Sequence, residues 1–193
     1  MNNKINRKQD ILQNLARMLE TDLGDRITTA GLAKEVGVSE AALYRHFPSK
    51  AKMFEALLDF CEESIFTRVN TILSSDDSTL NKCSLIASLV LNFSQKNPGL
   101  SRLLTAEVLL GETSRLKQRV SQIFDKLEVQ IKQLIRNASV ASGVSSVDSN
   151  AMARLLTALI EGRIQQFVRS NFEIQPADQW DNQWKLLSES WKI

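Results

Sequence analysis

RITTAGLAKEVGVSEAALYRHFPSKAK, residues 26–52, is the stretch that decides how this 193-residue chain folds. Thr28 and Thr29 are helix-capping residue types set just ahead of Leu32, Ala33 and Val36, so a short helix starts there. Gly37 suits the left-handed position that closes such a helix, because a residue without Cβ adopts positive φ at little cost. Ser39 then caps a second helix whose inward residues are Ala42, Leu43 and Phe47. Pro48 cannot continue that helix, and Ser49 caps the next one. Two helices joined by a tight glycine turn make a helix-turn-helix, whose second helix is the one that enters the DNA major groove.

The residues left outward on that second helix have the chemistry of a DNA reader. Glu40, Ala41, Tyr44, Arg45 and His46 point away from Leu43 and Phe47, and Lys50 follows at the next helix start. Small Ala41 and Ala42 allow close approach to base edges and contact with a thymine methyl. Tyr44, Arg45, Lys50, Thr28, Thr29 and Ser39 carry donors for phosphate oxygens. The spacing by itself fits an ordinary helical hairpin with a solvated polar face equally well. The string Leu-Tyr-Arg-His-Phe-Pro-Ser-Lys at 43–50, after Ile27-Thr28-Thr29 and Gly37-Val38-Ser39, resembles the DNA-binding domain of the TetR family over about a quarter of the chain.

Outside this stretch the composition is that of a helical globular protein. Hydrophobic residues make up 43%, charged residues 24%, and prolines number three. No segment alternates apolar and polar with period two, so the expected class is all-α. The net charge of +2 excludes a polybasic protein that coats nucleic acid indiscriminately. Its distribution is uneven: residues 1–53 hold nine Lys/Arg against six Asp/Glu, and the remainder fifteen against sixteen. That sign suits a DNA-binding N-terminal end. Cys61 and Cys83 lie inside apolar helical patterns and read as reduced thiols rather than a disulfide framework. Residues 1–10 are polar with no apolar run behind them, and no run approaches the roughly 20 residues that span a bilayer. The expected location is cytoplasmic and nucleoid-associated, with no membrane partner.

Helical periodicity covers the rest of the chain. A first helix is expected over 6–21, with Ile11, Leu12, Leu15, Ala16 and Leu19 on one face. Lys4, Arg7 and Lys8 at its start either reach a DNA backbone or form a solvated terminus. A long helix, about 36 Å at 1.5 Å per residue, follows over 50–73 and would link the DNA reader mechanically to the body. Further helices are expected over 79–96, 100–110, 113–137, 150–171 and 178–191, with a Ser/Gly-rich loop over 139–149. The sum is a three-helix head, residues 1–52, and a six-helix dimerisation and partner-binding body, residues 53–193. Trp180, Trp184, Leu187 and Trp191 share one face and read as core or subunit interface rather than a ligand cage.

An enzyme is not expected. His46 is the only histidine and lies in the recognition helix, no metal-ligand spacing occurs, and no Gly-rich loop follows a strand. No cofactor is called for. A single helix-turn-helix binds weakly, and such heads work in pairs on half-sites about 34–36 Å apart. Leu155, Ala158, Leu159, Gly162 and Phe167 are the candidate two-fold patch, with Ala158 and Gly162 small enough for close helix approach. The TetR resemblance implies the same, since the last two long helices of that family build a four-helix homodimer interface.

Within the family two functions compete. One is a transcriptional repressor that releases DNA when a small molecule enters its body. The other is the TetR-type nucleoid-occlusion group, which this chain resembles nearly end to end. The segments carrying that resemblance outside the head are Asn97-Pro98-Gly99-Leu100 and Phe167-Val168-Arg169-Ser170 with Phe172 and Pro176. It is looser at Asn92, Lys96 and the N-terminal arm. The resemblance implies a dimer on palindromic chromosomal sites that grips the tail of the tubulin-like division protein FtsZ and antagonises its polymers. By the same resemblance, Phe60, Ile65, Arg68, Leu89, Asn92, Phe93, Lys96 and Asn97 line the tail groove. Read without it, Arg68 is a snorkelling surface cation and Phe60 and Leu89 are core.

Overall fold

A computed structural model describes residues 7–21, 27–109, 114–143 and 148–191. Among these, nine α-helices and one short 3₁₀ turn account for the regular structure, with no strand. In chain order they are α1 (Arg7–Thr21), α2 (Thr29–Val36), α3 (Glu40–His46), α4 (Lys50–Leu73), α5 (Thr79–Lys96), α6 (Pro98–Leu104), α7 (Ser114–Ser142), α8 (Ser149–Arg169) and α9 (Trp180–Ser188). The 3₁₀ turn, Glu107–Leu109, lies between α6 and α7. The all-α class is as expected, and α4 and α5 run over the residues that periodicity assigns them.

Several boundaries differ from expectation. The helix α6 runs Pro98–Leu104 rather than 100–110, because Pro98 suits the first turn of a helix, and a separate 3₁₀ turn follows it. The helix α7 continues through Ser142 and stops at Gly143 with φ of 69°, where the composition predicts a loop from residue 139. Ser142 is tolerated because its hydroxyl donates to the carbonyl of Ala138 within the helix. The helix α8 opens earlier, at Ser149, since Asp148 accepts from the amides of Asn150 and Ala151 and caps it. The last helix is shorter than expected, so Trp191 lies beyond its end, yet its ring still meets Trp184 edge-on at 5.4 Å.

Packing divides the chain into two units. The first comprises residues 1–61 and 97–120. Its centre is the α1 stripe Ile11, Leu15 and Leu19, each fully buried, facing Leu32 and Ala33 of α2 and Leu43 of α3. Burying each such side chain stabilises by about 1.5–3 kcal/mol. The helix α6 lies against α1 so closely that a Cβ on Gly99 would sit 2.0 Å from the carbonyl oxygen of Ala16. Three residues on, buried Arg102 donates to the carbonyl of Leu19 at 2.9 Å and pairs with Glu107 at 3.0 Å. A cation on the last carbonyls of α1 completes bonds that a helix end cannot make internally.

The second unit comprises residues 62–96 and 121–193. The helix α5 turns Cys83, Ile86, Ala87, Val90, Leu91 and Ser94 inward, and α8 does the same with Leu156, Thr157, Ile160, Ile164 and Phe167. These helices pack together, and α9 joins α5 through a Trp180 indole N–H donating to Ser84 Oγ at 3.2 Å. The α8–α9 connection is tied down by Arg163, which donates to the carbonyls of Gln175, Pro176 and Asp178 and to Gln183 Oε1. Within that connection Asn171 and Phe172 adopt positive φ, 52° and 68°. The Phe172 amide returning to the Phe167 carbonyl at 2.8 Å, and their rings 5.0 Å apart, hold it there.

Candidate nucleic-acid interface

The helix-turn-helix in the first unit is built by the caps that its sequence signals. Thr28, in extended conformation, accepts from the Gly31 amide at 3.0 Å and opens α2. Gly37 closes α2 at φ 74°, with its amide on Lys34 O and the Val38 amide on Ala33 O, a paired helix-ending motif. A Cβ there would meet nothing, so the glycine serves its backbone angle alone. Ser39 Oγ accepts from the Ala42 amide at 3.2 Å and opens α3. Leu43 and Phe47 anchor α3 inward, at 0% and 7% exposure. After Pro48, Ser49 Oγ accepts from the Lys52 amide and opens α4.

That anchoring presents Glu40, Ala41, Tyr44 and Arg45 to solvent, with Ala42 and His46 half-buried beside them. Thr28 and Ser39 are exposed at the two helix starts, and Thr29 and Lys50 are half-buried. Two helices meet through a chain of hydroxyls. The Tyr44 hydroxyl donates to Thr29 Oγ1 at 3.2 Å, and Thr29 donates to Glu40 Oε2 at 2.9 Å. Lys50 sets its ammonium 5.4 Å from the Phe54 ring. Of the basic residues at the start of α1, Lys8 sits 5.8 Å over the Phe47 ring at the end of α3, whereas Arg7 pairs with Asp10. Lys4 lies outside the described residues. Sequence reasoning leaves Lys8 open and does not foresee the hydroxyl chain, which joins residues eleven and fifteen positions apart. The resulting face has hydroxyl and cationic donors around two alanines on a helix, a surface suited to phosphate oxygens and base edges.

The body residues singled out by sequence are placed as follows. In the second unit, Arg68 is exposed and donates to Ser64 O of its own helix, and Lys96 is exposed. Leu89, Asn92 and Phe93 are half-buried on the outer side of α5, while Asn92 is turned onto its own helix at Ser88 O. Ile65 is 3% exposed and belongs to the core, because it shares the inward stripe of α4 with Val69. In the first unit, Phe60 is 50% exposed, so it is not core, and Asn97 sits at the N-terminus of α6.

On α8, Leu155 is 51% exposed, Ala158 and Gly162 are exposed and Leu159 is half-buried. Ala158, Leu159 and Gly162, but not Leu155, line a shallow groove against α9 together with Gln166, Leu186 and Leu187, and Leu186 is 74% exposed. Phe167 does not join them. At about 100° per residue Gln166 continues the outward stripe from Gly162, and Phe167 turns into the core at 1% exposure.

Comparison with known proteins places these features. Residues 24–57 match the model of bacterial regulatory proteins of the tetR family, and residues 77–192 match a Tetracyclin repressor-like C-terminal domain. The chain is 52% identical over 190 residues to the nucleoid occlusion factor SlmA of Marinomonas sp. (strain MWYL1), covering 98% of this chain and 96% of that one. It is 53% identical over 187 residues to the protein of the same name from Shewanella sediminis (strain HAW-EB3), covering 96% and 95%. In fold it is similar to a TetR transcription regulator from Haloarcula marismortui ATCC 43049, with a TM-score of 0.77 at 22% identity over 95% of this chain and 97% of the other.

Proposed function

The chain belongs to the SlmA nucleoid occlusion factors of the TetR family, and from that premise we propose that it binds palindromic chromosomal sites as a homodimer and keeps FtsZ from assembling a division ring over the nucleoid. The observation that carries this reading is identity to SlmA proteins along almost the whole chain, body as well as head. A shared DNA-binding head alone would leave the function of the body open.

The division of labour runs at the head–body boundary: residues 1–52 read the duplex, and 53–193 dimerise and bind the partner. In the head, Tyr44, Arg45, Lys50, Thr28, Thr29 and Ser39 take phosphates while Glu40, Ala41, Ala42 and His46 face base edges. In the body, the outward stripe of Leu155, Ala158, Leu159 and Gly162 packs against its two-fold copy; a Cβ at Gly162 meets nothing within 4 Å, which leaves room for a second helix backbone. The FtsZ tail, an extended acidic segment, is received by Arg68 and Lys96 beside half-buried Leu89 and Phe93 in the second unit.

A duplex selected from a random pool tests the head assignment. Wild-type protein is expected to enrich palindromes. Tyr44→Phe and Lys50→Ala are each expected to weaken every duplex, and Lys50→Ala, which removes a charge, is also expected to reduce the slope of log K against log salt by about 0.9 for each phosphate left unneutralised. Unchanged affinity in both variants, with an unchanged slope in Lys50→Ala, would remove the head from the interface.

A further inference from the structure

We propose that Glu40 is a specificity-determining residue that acts by opposing contact with the wrong duplex. The inference rests on the helix-turn-helix being the DNA interface. Glu40 is the first residue of α3 and exposed, and its Oε2 accepts the Thr29 hydroxyl at 2.9 Å. Thr29 in turn accepts the Tyr44 hydroxyl at 3.2 Å. Each hydroxyl has one proton to give, and the carboxylate at the end of the chain only accepts. The chain therefore directs both protons inward, toward Glu40.

A DNA phosphate is also only an acceptor. To accept from Thr29, it must displace Glu40 as the acceptor of the Thr29 hydroxyl, and it must do so beside a like charge within a Debye length. Every duplex meets this opposition, whatever its sequence. One feature of the right sequence offsets it. The N-terminal residues of a recognition helix contact base edges, and a carboxylate accepts well from the cytosine N4 amino group. Glu40 thus disfavours sites where it faces no donor and is compensated at sites where it does, which is discrimination by repulsion.

Fluorescence anisotropy on two duplexes tests this: a palindrome selected by the wild-type protein from a random pool, and its scrambled counterpart, each at low and high salt. Glu40→Gln is expected to tighten the scrambled duplex about threefold to tenfold at low salt, less at high salt, and the palindrome by less, so the ratio of affinities falls. Glu35→Gln removes the same charge from the exposed Arg17–Glu35 bridge between α1 and α2 and is expected to leave that ratio unchanged. On a Thr29→Val background, which lacks the hydroxyl that Glu40 holds, the effect of Glu40→Gln is expected to shrink. If Glu40→Gln keeps the wild-type ratio, or matches Glu35→Gln, the inference falls and the DNA interface stands. If the wild-type protein binds neither duplex, the interface falls and the inference with it.

Discussion

At the scale of single residues, some side chains are proposed to carry a binding duty beside a structural one, and the two can be separated. Thr28 offers its hydroxyl oxygen to the Gly31 amide and is exposed to solvent. Thr28→Ala removes the cap and is expected to lower stability by about 1 kcal/mol as well as to weaken DNA binding. Thr28→Asp keeps a capping oxygen but adds charge next to phosphate. It is expected to retain most of the wild-type melting temperature in a circular-dichroism scan while losing DNA affinity by an order of magnitude or more. Equal loss of both properties in the two variants would make Thr28 a cap and nothing else. The thiols show the opposite extreme, groups with a structural duty only. Burial pushes Cys61 and Cys83 up to about 12, so at pH 8 neither holds an appreciable thiolate fraction. Iodoacetamide at that pH is expected to spare both in the native protein and to label both in denaturant. Rapid native labelling of either would show that its helix opens readily.

At the scale of elements, α6 is the part whose role is least visible from outside. Gly99 lets its backbone meet that of α1, and Arg102 caps the carbonyl of Leu19. Gly99→Ala drives a Cβ into the Ala16 carbonyl, with no flexible side chain to yield, and is expected to destabilise by about 3 kcal/mol or more in urea unfolding. Gly162→Ala, in α8, meets nothing and is expected to change monomer stability by less than about 1 kcal/mol, in the favourable direction. Comparable losses at the two glycines would contradict the close approach of α6 to α1. The contrast also measures what can be read in advance. Caps at Thr28, Gly37, Ser39 and Ser49 are legible because capping is local chemistry within four residues. Tertiary choices are not. The helix α8 is apolar on two sides, so periodicity does not say that Leu155 and Gly162 face out while Phe167 faces in. Gly99 announces a helix break in sequence, yet its reason is the α1 backbone at Ala16, met only once the chain has folded. Arg102 and Arg163 look like surface cations because the acceptors that tie them down include backbone carbonyls, which no residue code displays.

At the scale of the whole molecule, reading DNA and restraining FtsZ are proposed to belong to different parts of one chain, joined by a helix that runs through both packing units. The helix α4 is continuous from Lys50, beside the recognition helix, to Leu73, and carries Arg68 in its second half. Arg68 is exposed and donates to Ser64 O of its own helix at 2.9 Å. Arg68→Asp is therefore expected to leave folding and DNA affinity intact and to abolish retention on FtsZ polymers, by opposing an acidic tail with a like charge. Retention at the wild-type level would place the tail elsewhere. On the proposed function, the protein is expected to act on FtsZ most strongly where it is bound to DNA. Sedimentation of FtsZ polymers with the protein, with and without its selected palindromic duplex, measures that directly. The expected result is a loss of sedimented polymer that the duplex enhances and a scrambled duplex does not. Polymer that sediments undiminished whether or not the duplex is bound would contradict it.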